Sequence, residues 1–134
     1  MLDHVVNQTM NFLENMPKSK RKKKGQFFTS VETARFMADM FDLDNCKGRI
    51  SVLDPGAGTG ILSVAFLERL MSLSSDINVS LTCYETDSEV LPVLKSNLEY
   101  AKSEYPDQIE YRVLEEDYIL SQSNDFDENL LANE

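Results

Sequence analysis

Three of the chain's five glycines fall within five residues, at Gly56, Gly58 and Gly60. They close the run Asp54-Pro55-Gly56-Ala57-Gly58-Thr59-Gly60. Before it stands Ile50-Ser51-Val52-Leu53, short, apolar and β-branched, which predicts a strand. After it, Ile61 to Met71 is strongly apolar and predicts a helix. A strand that turns on glycines straight into a helix is a βα unit, and it constrains the rest of the chain. Residues 2–16 predict a helix, with Val5, Val6, Met10, Leu13 and Met16 near helical spacing and Pro17 after it. Thr29-Ser30-Val31-Glu32 fits a capping box with the threonine as cap. A helix over about residues 30–42 follows, with Val31, Ala34, Met37, Ala38 and Phe41 on one stripe. Asn78 to Tyr84 predicts a second strand, Ser88 to Tyr105 a helix with Pro92 in its first turn, and Ile109 to Leu114 a third strand. The order helix, helix, β, α, β, α, β predicts an α/β fold: a parallel βαβαβ sheet with right-handed crossovers, helices on its faces and two N-terminal helices. Three strands are few for such a sheet, so a piece of a longer protein is expected.

The loop carries its own chemistry. Glycines allow positive φ and a close approach of backbone amides to a ligand. The helix N-terminus adds unpaired N–H groups and a positive dipole end. The spacing is G-x-G-x-G, not the G-x-G-x-x-G of dinucleotide folds. Asp54 precedes it, and a carboxylate there repels a pyrophosphate but attracts an ammonium group. S-adenosylmethionine (SAM) has an ammonium, a sulfonium and a single carboxylate, and suits an acid-plus-glycine loop better than NAD does. A strained turn with no ligand is the plainer alternative. Glu85, at the end of the second predicted strand, is placed to accept from two ribose hydroxyls. Asp117-Tyr118, after the third, could accept from an adenine amine and lie against the base. For both, an acidic surface loop is the plainer alternative.

The net charge is -10, which disfavours adhesion of most of the chain to nucleic acid. The charge is uneven. Lys18 to Lys24 holds six of the thirteen basic residues, whereas Glu115 to Glu134 has seven acids and no base. The basic run reads as an exposed connector that could neutralise DNA phosphates or simply be solvated. Cys46 and Cys83 have no CxxC spacing, and with His4 alone they assemble no zinc site. They read as free thiols in a reducing cytoplasm. His4 reads as a surface residue of the first helix. No apolar run approaches the roughly 20 residues of a membrane helix, and the N-terminus lacks the order of a secretion signal.

Gly25-Gln26-Phe27-Phe28-Thr29, followed by the Asp54–Gly60 loop, resembles the N6-adenine-specific DNA methyltransferases of restriction-modification systems. The order of the two motifs is similar to type IIG enzymes and type I modification subunits. The resemblance covers roughly residues 20 to 120 and implies a Rossmann-like class I SAM-dependent methyltransferase fold. It implies SAM as cofactor and DNA as the partner of the parent protein. Carried over, Phe28 and Thr29 would meet the methionine end of SAM. Asp54, Gly56, Ala57 and Gly58 would line it. Glu85 would hold the ribose, and Asp117 with Tyr118 the adenine; Thr86 is also expected among the cofactor-binding residues. The family's proline after the threonine is Ser30 here, which still suits a helix start.

The family's catalytic run, (Asn, Asp or Ser)-Pro-Pro-(Tyr, Phe or Trp), contains two adjacent prolines; the run as a whole accepts hydrogen bonds from the target amine and stacks the flipped base. The four prolines here, Pro17, Pro55, Pro92 and Pro106, are all isolated. The resemblance thus implies the donor-holding part of the enzyme without its catalytic motif. Residues 1–24 are expected to form a helix and basic linker, and 25–134 the SAM-binding domain. An unpaired sheet edge would favour self-association. Methyl transfer to RNA, protein or a small molecule, and a non-catalytic SAM-binding protein, remain competing readings. A dinucleotide oxidoreductase is disfavoured by the loop spacing and Asp54.

Overall fold

A computed structural model describes residues 1–20 and 28–122. Its elements are α1 (Leu2–Glu14), α2 (Val31–Asp39), β1 (Gly48–Asp54), α3 (Ile61–Leu73), β2 (Ile77–Tyr84), α4 (Leu91–Glu104) and β3 (Ile109–Leu114). The order is the one the sequence predicts. The three strands form one parallel sheet in the order β1-β2-β3. The register sets Asp54 beside Cys83 and Tyr84 beside Leu114, so all three carboxyl ends reach the same edge. Ligands of open α/β sheets bind at that edge.

The central strand β2 explains where the core sits. Ile77, Val79, Leu81 and Cys83 are buried, while Asn78 and Ser80 between them are exposed. Ile50 and Val52 of β1 and Ile109 of β3 pair with the buried set. Alternation of this kind marks a sheet with one covered face. The covering layer is Val64, Leu67 and Leu70 of α3 with Leu94, Leu98 and Ala101 of α4. Strands added in one direction with crossovers of one hand place both helices on the same side. Among the described residues the opposite face is mostly polar, with Arg112 donating to Thr82 Oγ1 at 3.1 Å and Leu53 as an exposed apolar exception. Helices on both faces, as the β–α alternation suggests, are not what these residues form.

The N-terminal helices complete the layer. Leu2 and Val5 of α1 and Ala34 and Ala38 of α2 join the same core. His4 is half-buried and stacks on Tyr100 of α4, ring centroids 3.7 Å apart and 6° from parallel, rather than standing free on the surface. The cap of α2 is one residue later than the expected box: Ser30 Oγ, not Thr29, accepts from Thr33 N at 3.2 Å. Ser30 sits at φ -70°, a value a proline ring also takes, which is why serine can replace proline here. At the other end, Arg69 of α3 donates to the carbonyls of Ala38 and Phe41 and satisfies the last turn. The α2 stripe is narrower than expected, because Met37 and Phe41 are exposed. The one histidine and two cysteines stay apart, and both thiols are free.

Candidate donor site

The glycine run leaves β1 at Asp54 and enters α3 at Ile61. Gly58 and Gly60 hold φ of 58° and 95°, the left-handed region that strains any residue with a Cβ. Gly60 is the N-cap of α3, and a Cβ there would stand 3.1 Å from Leu94 Cδ1. Three amides of the loop are fixed by partners other than Asp54. Ala57 N donates to Tyr84 O at 3.0 Å, Gly60 N to Ala57 O at 2.9 Å, and Gly58 N to Glu85 Oε1 at 2.8 Å. The second oxygen of Glu85 accepts from the amides of Thr86 and Asp87, both at 2.9 Å. One carboxylate thus ties the β1 loop to the β2 loop. A carboxylate has about four acceptor positions, so three amides leave room for one further donor.

Asp54 is anchored in the same way. Its Oδ1 accepts from Gly56 N at 3.3 Å and its Oδ2 from Ser63 Oγ at 2.5 Å. Ser63 also lies 3.7 Å from the sulfur of Cys83, beneath the loop. Burial pushes the Cys83 thiol up to about 12, with the Asp54 charge adding to the rise against the Ser63 hydrogen bond. The thiol is therefore neutral and unreactive at ordinary pH.

Beside the loop, the strand ends open into a cleft of about 560 Å³. Its walls are Pro55 and Gly56 from the first loop, Tyr84, Glu85 and Thr86 from the second, and Glu116 to Ile119 from the third. The volume falls in the range of small-molecule sites. Among the described residues, the charged side chains on these walls are the carboxyls of Glu85, Glu116 and Asp117. A site of this sign favours a cationic ligand. Tyr84 and Tyr118 meet edge to face, centroids 5.1 Å apart. Asp117 Oδ1 caps the following helical turn by accepting from Leu120 N at 3.0 Å.

Of the residues singled out from sequence, Gly56, Glu85, Thr86, Asp117 and Tyr118 line this cleft together. Asp54, Ala57 and Gly58 stand behind it in the loop. Phe28 covers the loop from the other side, since a methyl on Gly58 would come within 3.4 Å of its ring. Thr29 follows it, half-buried, just before the α2 cap. Gly25, Gln26 and Phe27, and Arg21 to Lys24 of the basic run, lie outside the described residues. Sequence reasoning missed Tyr84, Glu116 and Ile119 as cleft walls. It also missed Ser63, whose signal was a hydroxyl in the apolar first two turns of the helix.

The profile of a family described as N-6 DNA Methylase matches residues 5–125. This chain belongs to that family. It is 31% identical over 102 residues to the type II methyltransferase M.PstI of Providencia stuartii, covering 74% of this chain and 20% of that protein. It is 35% identical over 99 residues to the type II methyltransferase M.BsuBI of Bacillus subtilis, covering 74% and 19% respectively. The chain thus spans about a fifth of the length of these relatives. Among solved structures, it resembles one from Klebsiella pneumoniae provisionally described as an O-methyltransferase. The TM-score is 0.50 at 19% identity, over 84% of this chain and 42% of that one. That likeness establishes the methyltransferase-type α/β fold. Family and fold together imply a methyl donor of the SAM type. No helix among the described residues is long and apolar enough to cross a membrane.

Proposed function

We propose that this chain is the SAM-binding portion of a site-specific DNA adenine-N6 methyltransferase of a restriction-modification system. The observation that carries the proposal is the Asp54–Gly60 loop tied through Gly58 N to Glu85 at the mouth of an acidic cleft. The donor set suits SAM by its chemistry. Glycine backbone at positive φ makes room for the methionine end, which Phe28 and Thr29 would flank and Asp54, Gly56, Ala57 and Gly58 would line. Glu85 keeps one acceptor position for a ribose hydroxyl. Thr86, Asp117 and the Tyr118 ring would hold the adenine. The carboxyls of Glu85, Glu116 and Asp117 complement the net positive charge of the donor. When bound, SAM supplies the activated methyl group.

The two type II methyltransferases among its relatives support DNA as the substrate of the whole protein. Lys18 to Lys24 would then serve as a phosphate-facing stretch at the entry to the domain. No residue of this chain is assigned to the transfer step, since its four prolines are isolated. Isothermal titration with SAM and with NAD tests the reading. SAM binds at one site, NAD does not, and Asp54→Ala removes detectable SAM binding. Binding of NAD without SAM would refute it.

A further inference from the structure

Helix α1 carries a polar side chain on its buried stripe. Thr9 follows Leu2 and Val5 there and is 2% exposed. Its hydroxyl donates to the carbonyl of Val5 at 2.8 Å. It also lies 2.6 Å from the hydroxyl of Thr59, a loop residue that is 1% exposed. A threonine hydroxyl has one proton, and that of Thr9 is engaged on Val5, so Thr59 is the donor between them. From the opposite side, Asn97 of α4 donates its Nδ2 to the carbonyl of Thr59 at 2.8 Å. Asn97 is fully buried, and its Oδ1 has no hydrogen-bond partner among the described residues. One loop residue is thus held by side chain to α1 and by main chain to α4.

A second contact runs in parallel. Phe12 of α1 meets Phe28 edge to face, centroids 6.3 Å apart, and Phe28 is the ring that covers Gly58. Polar groups buried in an apolar layer are costly unless paired. Valine would fill the space of either threonine without that cost. The hydroxyl relay makes the loop's conformation depend on α1 being docked.

We infer that Thr9 is a positioning residue for the donor site, acting through Thr59, and that α1 belongs to that site although none of its residues lines the cleft. The inference rests on the reading of the loop as a SAM site. The test compares the 134-residue chain with its Thr9→Val and Thr9→Ser variants. Two readouts are taken: SAM affinity by calorimetry, and hydrogen exchange of the Ala57, Gly58 and Gly60 amides without ligand. Thr9→Val keeps the shape and loses the relay. It weakens SAM binding roughly five- to tenfold, the effect of one net hydrogen bond, and speeds exchange at the three amides. Thr9→Ser keeps the hydroxyl and restores both to within about twofold of the parent. Parent-like affinity and exchange in Thr9→Val would overturn the inference. So would a folded Thr9→Ser variant whose SAM affinity and amide exchange differ from the parent by about fivefold or more, an outcome that is read whether or not the valine variant folds. If the unsubstituted chain binds no SAM, the cofactor reading fails, and the exchange comparison alone decides the role of Thr9.

Discussion

Glu85 closes the glycine loop from the β2 side, accepting from amides that arrive from two separate segments. Its place at a strand tip is legible in sequence, because the alternating run from Asn78 to Tyr84 ends there. Its clamp on Gly58 is not, since 27 residues separate them. Cys83 shows the opposite case, a residue whose consequence lies in stability. The folded state holds its proton to about 12, against an ordinary value of 9.0, because burial penalises the thiolate. Between those limits the folded chain binds more protons than the unfolded one, so stability falls as pH rises. Tyr111 acts in the same direction from 10.0 to about 12, raised by burial and by its hydrogen bond to Glu99. Urea unfolding is therefore expected to show constant stability to about pH 9 and a decline above it. Cys83→Ala should flatten that decline by up to about 1.4 kcal/mol per pH unit, one proton's worth. Equal slopes in the two chains would show that the thiol is not held protonated.

At the scale of elements, the βα unit around Asp54–Gly60 was the most readable part. Glycine at two positive-φ positions leaves few other structures for that run. Helix ends were less readable. A hydroxyl at residue 29 or at residue 30 satisfies the same capping pattern, and only the backbone decides that Ser30 accepts from Thr33 N. Ser30→Ala should destabilise the chain by about 1 kcal/mol in denaturant unfolding, and Thr29→Ala by much less. The reverse ranking would place the cap at Thr29. The relay from Thr59 to Thr9 was not legible at all. It joins residues 50 apart, and Thr9 on an otherwise apolar stripe looks like any tolerated small side chain.

At the scale of the molecule, the parallel order β1-β2-β3 does the functional work. It brings the acid that ends β1 and the acids that follow β2 and β3, far apart in sequence, to one edge beside one loop. The alternation in β2 leaves a polar face, so the described helices pack on one side and the cleft opens at the strand tips. Among the described residues, Glu85, Glu116 and Asp117 are the charged side chains on the cleft wall. All of this converges on the claim that SAM occupies that cleft. Chemical-shift mapping by ¹H–¹⁵N NMR during a SAM titration tests it most directly. The predicted result is saturable shifts concentrated at the amides of Gly56, Gly58, Glu85, Thr86 and Tyr118. No shift with SAM, or shifts clustered away from the strand tips, would contradict it.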